Sequence, residues 1–149
     1  MAEIRRIGAL ETFAVRHPVL RGGKPLESCR FDGDDLETTR HFGYYENGNL
    51  IGVISLFGAR NKSFAAEKQF QVRGMAILEN HQKKGIGEKL MRHTENYVLE
   101  NYGHFIWFNA REIAVGFYGK LGYEIYGDSF DIPDVGPHYV MFKTLAEVR

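Results

Sequence analysis

The segment Lys68–Asn101, KQFQVRGMAILENHQKKGIGEKLMRHTENYVLEN, decides how this chain folds. Apolar residues stand at Phe70 and Val72 and then at Met75 and Ile77, so the alternation expected of a strand changes parity across Gly74. An extra residue in one strand of a pair does that, and it frees backbone groups from the sheet. After a short polar break the cluster QKKGIG opens a second pattern, in which Ile86, Leu90, Met91, Thr94, Tyr97 and Val98 share one helical face. Glu88, Lys89, Arg92, Glu95 and Glu100 fall on the other face, so the segment reads as a bulged strand, a glycine turn and an amphipathic helix ending near Gly103.

A turn that leads straight into a helix leaves several backbone N–H groups unpaired at the positive end of the helix dipole, which is the arrangement of an anion cradle. Gly85 and Gly87 present no side chain to block a diphosphate, and Lys83 and Lys84 add positive charge at the mouth. Two common phosphate motifs do not fit. A dinucleotide fingerprint needs a third glycine where Leu90 stands, and a P-loop needs Gly-Lys-Ser/Thr.

Composition narrows the function classes. The 149 residues suit one domain, 1–149, with a substantial core. Lys plus Arg equals Asp plus Glu at 19 each, so no net field draws the chain to nucleic acid or an anionic membrane. No apolar run reaches membrane-spanning length and MAEIRRIGAL lacks the apolar stretch of a signal peptide, so a cytoplasmic location is expected. The single cysteine, Cys29, excludes an internal disulfide and a multi-cysteine metal site, and no metal is expected.

From the N-terminus outward, the pattern predicts a strand near Glu3–Ile7 and a helix over Ala9–Leu20 with Leu10, Phe13, Ala14 and Val19 inward and Arg16, His17 and Arg21 on the polar side. A long loop, Gly22–Thr39, carries the acidic residues Asp32, Asp34, Asp35 and Glu37, which would suit a cationic amine. Asn47-Gly48 between two apolar runs predicts a hairpin. HFIWFN reads as an internal strand, Arg111–Lys120 as a short helix, YEIYG and HYVMFK as further strands, and DIPDVGP as a turn-rich connection. The order implies an α/β (α+β) sheet with helices on both faces.

Gln82-x-x-Gly85-x-Gly87 between strand and helix resembles the coenzyme A pyrophosphate loop of the GNAT N-acetyltransferase superfamily. AVGFYGKLGYEIYG resembles that family's carboxy-terminal signature, with Phe117, Tyr118, Lys120, Leu121, Gly122 and Tyr123 matching. The ending DVGPHYVMFKTL is similar to a subgroup with Gly-Ile-Pro-His, although Gly136 here meets Pro137 directly.

The resemblance implies a mixed, mostly antiparallel sheet with a splayed strand pair that binds acetyl coenzyme A. It places the pantetheine arm beside Met75, Ala76 and Ile77, the pyrophosphate on the backbone of Gln82, Lys83, Lys84, Gly85, Ile86 and Gly87, and the acyl slot at Phe108 and Asn109. Tyr118 takes the position of the tyrosine that protonates the leaving thiolate. Glu79 is the first candidate base, with His41, His138 and Asp131 as rivals.

The implied reaction is direct transfer of acetyl to a primary amine, of a small molecule or a peptide, in a ternary complex. The alternative is a non-catalytic module that binds and senses acyl coenzyme A. A homodimer through edge strands is compatible with either.

Overall fold

The computed structural model describes residues 1–146; residues 147–149, the end of the expected domain, lie outside them. Seven strands form one sheet in the order β1-β2-β3-β4-β5-β7-β6. They are β1 (Ala2–Ile7), β2 (Arg40–Glu46), β3 (Asn49–Gly58), β4 (Phe70–Ile77), β5 (Phe105–Arg111), β6 (Glu124–Ile132) and β7 (Gly136–Thr144). The helices are α1 (Phe13–Leu20), α2 (Ile86–Glu100) and α3 (Val115–Lys120). Every strand pairing is antiparallel except that of β4 with β5.

The helices cover both faces, as expected. On one face α2 buries Ile86, Leu90, Met91 and Val98 against Phe42, Ile54, Leu56, Val72 and Ile106. On the other, α1 buries Val15 against Ile7, Val53 and Ala76. Burying each such side chain contributes on the order of 1.5–3 kcal/mol, so the two layers fix α2 and α1 at opposite sides of β4.

The predicted hairpin turns at Asn47 and Gly48, both at positive φ (51° and 83°), the conformation a tight two-residue turn between twisted strands requires. The parity change at Gly74 is a bulge. Val53 pairs with Ala76 and Ser55 with Arg73, so Gly74 and Met75 together oppose Ile54.

Three expectations are corrected. The first helix begins as a separate 3-10 turn, Leu10–Thr12, which shifts the helical phase of α1. Leu10 is therefore exposed, Ala14 also faces out, and Val15 and Arg16 point inward. The connection DIPDVGP is mostly strand, since β6 runs to Ile132 and β7 starts at Gly136, leaving a tight turn closed by the Val135 N–H donating to the Ile132 carbonyl (3.0 Å). The acidic loop contains its own 3-10 turn, Leu26–Cys29, and Asp34 leaves the surface altogether.

Candidate active site

β4 and β5 share only two parallel rungs, Phe70 with Ile106 and Gln71 with Trp107, and then separate. Beyond Gln71 the edge of β4 that faces β5 has no strand partner, so the splay and the bulge lie on the same stretch of chain. β5 stays paired with β7 along its whole length, which holds the gap open.

On the α2 side of this gap lies a cavity of about 270 Å³ lined by Met75, Ile77, Gln82, Lys83, Gly85 and Gly87, with His81, Ile86 and Phe117 completing it. Lys83 and Gly85 are at positive φ (63° and 82°), which turns successive N–H groups the same way ahead of α2. Among the described residues, the backbone N–H groups from Lys83 to Gly87 have no hydrogen-bond acceptor, whereas Lys89 N–H already donates to the Gly85 carbonyl (3.2 Å). A Cβ at Gly87 would stand 3.2 Å from Phe117 Cζ and 3.4 Å from Met75 Cε, so a side chain there would crowd this wall.

The cradle begins one residue later than expected. Gln82 N–H donates to the Glu79 carbonyl (3.3 Å), and the Gln82 side chain donates through Nε2 to the Ile77 carbonyl (2.9 Å). Gln82 thus ties the loop to the end of β4 and braces the cradle from behind. Met75 and Ile77 face the cavity, while Ala76 packs its methyl on the α1 side against Val53 and Val15 and does not line the cavity.

Tyr118 sits on α3, with its ring 4.4 Å from that of Phe108 on β5 and 5.0 Å from Phe117. Its hydroxyl has no hydrogen-bond partner among the described residues, and burial pushes the phenol up to about 12. Behind it, Tyr123 donates to buried Glu95 (2.7 Å), which also receives Lys143 (3.3 Å) and Arg92 (3.0 Å). Burial first, and then the Glu95 carboxylate, raise the Tyr123 phenol as well. This network fixes the wall on which Tyr118 leans, and neither Glu95 nor Phe117 was singled out from sequence as part of the site. Asn109 stands exposed on β5, past the last rung, on the opposite face from Phe108.

The candidate bases separate. Glu79 is exposed beside the loop and does not line the cavity. Asp131 is exposed on β6. His41 is buried, its Nε2 donating to the Asp34 carbonyl (3.0 Å) and its Nδ1 accepting from Ser55 Oγ (2.6 Å), which removes it from the list of bases. His138 is buried on β7, where Nδ1 donates to the Gly136 carbonyl (2.8 Å), so Nε2 carries the lone pair.

Arg16, expected on the polar side of its helix, is fully buried. It donates to Cys29 O (2.8 Å), Asp34 Oδ2 (2.7 Å), Asp34 Oδ1 (3.1 Å) and Ser55 Oγ (2.9 Å). Burial alone would raise the Asp34 carboxyl, but hydrogen bonds from Arg16 and the Phe31 N–H outweigh it and hold it below the usual range. Asp35 pairs with Arg30 (2.7 Å), so only Asp32 and Glu37 of the acidic group remain exposed and without ion-pair partners among the described residues. The helical phase hid Arg16, because an arginine beside apolar positions reads as solvated.

No helix among the described residues is long and apolar enough to cross a membrane, and no group of His, Cys, Asp or Glu there could hold a metal ion.

The comparisons agree with this geometry. An uncharacterized N-acetyltransferase, YitI, of Bacillus subtilis is 34% identical over the full length of both chains. A crystal structure of a putative N-acetyltransferase from Lactobacillus plantarum superimposes with a TM-score of 0.79 at 18% identity, covering 97% of this chain and 99% of that one. An aminoglycoside 6'-N-acetyltransferase solved with coenzyme A gives 0.76 at 14% identity, covering 99% of both chains. The sequence pattern of the acetyltransferase (GNAT) family matches residues 7–123, and this chain, with its bulged β4, splayed β5 and glycine cradle, belongs to that family of acyltransferases.

Proposed function

We propose that the 149 residues act as one N-acetyltransferase domain that moves acetyl from acetyl coenzyme A to a primary amine by direct attack in a ternary complex. The observation that carries this reading is the row of unpaired N–H groups from Lys83 to Gly87 opening into a cavity lined by Met75 and Ile77. The cradle fits a diphosphate, since it offers backbone donors, the N-terminus of α2, two lysines and a wall that a Cβ at Gly87 would obstruct. Met75, Ala76 and Ile77 would hold the pantetheine arm, Lys83–Gly87 the pyrophosphate with Gln82 as brace, and Asn109 would stand at the acyl end. The thioester supplies the activated acetyl group. The likeness of the ending, Gly136-Pro137-His138, to the Gly-Ile-Pro-His subgroup belongs to the same proposal.

In the reaction a C–N bond forms and the C–S bond breaks. One proton leaves nitrogen and one reaches sulfur. Tyr118 is the donor to sulfur, and with its phenol at about 12 it is fully protonated at neutral pH. Complete transfer to a free thiolate of ordinary basicity, about 8.5, would be uphill by roughly 5 kcal/mol, so the phenol donates a hydrogen bond while charge builds on sulfur, and the departing thiolate takes its proton from solvent.

Glu79 is the base, reached through water from its exposed position after β4. A second reading is favoured by His138, whose tautomer is set by the Gly136 carbonyl and whose Nε2 has no partner among the described residues. Glu79→Gln and His138→Gln separate the two, because the true base loses the rising limb of the pH–rate profile when replaced.

The primary test is calorimetric titration with acetyl coenzyme A, coenzyme A and ATP. Saturable one-to-one binding of the coenzyme A species with much weaker ATP supports the cradle, and an amine panel then reads turnover. Binding without turnover of any amine would favour the acyl coenzyme A sensing module. No binding would end the acetyltransferase reading.

A further inference from the structure

On the α1 side of β4, opposite the cofactor cavity, three guanidinium groups surround one ring. Arg16 Cζ lies 3.9 Å from the Phe31 centroid, Arg73 5.1 Å and Arg21 5.4 Å. Arg73 is also 5.1 Å from the Phe57 ring, so its guanidinium lies beside two aromatic rings one residue before the Gly74 bulge. Arg16 spends its charge on Asp34, and its remaining donor, Nε, is buried without a partner beneath Gly74, where a Cβ would come within 3.3 Å of it. Arg73 and Arg21 have no carboxylate within ion-pair distance among the described residues. Arg73 donates only to the Asp32 carbonyl (3.3 Å), and Arg21 only to the carbonyls of Ser28 (3.3 Å) and Leu20 (3.1 Å). Burial lowers the Arg73 guanidinium, and the carboxylates of Asp34 first and then Asp32 offset part of this charge from a distance.

A partly buried arginine with no carboxylate at ion-pair distance among the described residues, set beside two aromatic rings, suits a planar oxyanion. We infer that the amine acceptor carries a carboxylate, which seats on Arg73 and Arg21 beside Phe31 and so presents its amine to the bulge at Gly74. This deepens the proposed acetyl transfer and rests on it. It also reverses what the acidic loop suggested, because Asp34 and Asp35 pair with Arg16 and Arg30, which leaves Asp32 beside two arginines, Arg73 and Arg21.

The test measures coenzyme A release from the wild-type chain with four matched acceptors: an amino acid, its carboxamide, the amine lacking the carboxyl group, and a diamine of similar length. Binding of acetyl coenzyme A is measured in parallel by calorimetry. The expected result is a kcat/KM for the amino acid at least tenfold above that for the carboxamide and the plain amine, with the diamine poorest. In Arg73→Gln the amino acid loses that advantage through KM, while Arg73→Lys retains part of it. If Arg73→Gln does not fold, Arg21→Gln is read for the same collapse of the carboxylate-to-amide ratio.

Equal use of amide and acid, preference for the diamine, or a ratio that survives both glutamine variants would overturn the inference while leaving acetyl transfer standing. Binding of acetyl coenzyme A with no turnover of any acceptor would overturn it as well. Failure to bind acetyl coenzyme A would overturn the acetyl-transfer reading and this inference together.

Discussion

Replacing Tyr118 with phenylalanine separates a role in chemistry from a role in packing, and the structure sets both magnitudes. The ring is held by Phe108 and Phe117, and phenylalanine preserves those contacts. The hydroxyl has no partner among the described residues, so its removal strands no donor or acceptor there, and stability near pH 7 should change by less than about 1 kcal/mol.

Catalysis should respond differently. Loss of a positioned proton donor costs roughly ten- to a thousandfold in kcat, with kcat/KM falling in parallel and affinity for acetyl coenzyme A nearly unchanged. Because burial raises the phenol from 10 to about 12, the wild-type rate should rise as the base deprotonates and show no descending limb below about pH 11.

The same burial links pH to folding. The folded state favours the protonated phenol, so its stabilisation is complete below pH 10, where the unfolded chain would ionise, and disappears as pH climbs from 10 to about 12. A rise of that size corresponds to about 3 kcal/mol as a ceiling. Urea unfolding of both proteins across that window should show Tyr118→Phe gaining on the wild type, with a difference that is flat below pH 10. An unaltered kcat in the variant would refute the assignment of Tyr118 as acid, and a stability difference indifferent to pH would refute the burial of its hydroxyl.

Gly87→Val should weaken acetyl coenzyme A binding at least tenfold, since the new side chain must enter a space where its first carbon already lies 3.2 Å from Phe117; calorimetry at wild-type affinity would show the loop to have another use. Arg16→Met leaves Asp34 buried without its partner and should destabilise the fold by about 3–5 kcal/mol in urea, a cost that a surface arginine would not incur. Asp34 titrates below its ordinary value in the folded state, so its contribution is present above about 3.8 and lost as pH falls through the lower folded value. Acid unfolding of Asp34→Asn should accordingly lose steepness below pH 4, and an identical acid limb would remove Asp34 from that account.

Much was legible without coordinates because it rests on local rules. A period-two pattern that breaks at a glycine, a glycine turn followed by a period-3.6 pattern, and Asn-Gly between apolar runs each need only neighbours in sequence. The bulge at Gly74, the loop at Lys83–Gly87, α2 and the hairpin followed from them.

The errors at Arg16, Asp34 and His41 came where a distant partner overrode local preference. Arg16 is buried because Asp34, Ser55 and the Cys29 carbonyl, all far along the chain, converge on its guanidinium. Asp34 left the acidic loop, and His41 left the list of bases, for the same reason.

Sequence alone therefore determined the family, the glycine turn and the helix and strands that carry it, since backbone geometry and hydrophobic period are written residue by residue. Only the tertiary structure decided which charges survive on the α1 side of β4. That outcome depends on which carboxylates find arginines across the fold, and a buried ion pair forms only where two remote segments meet out of water.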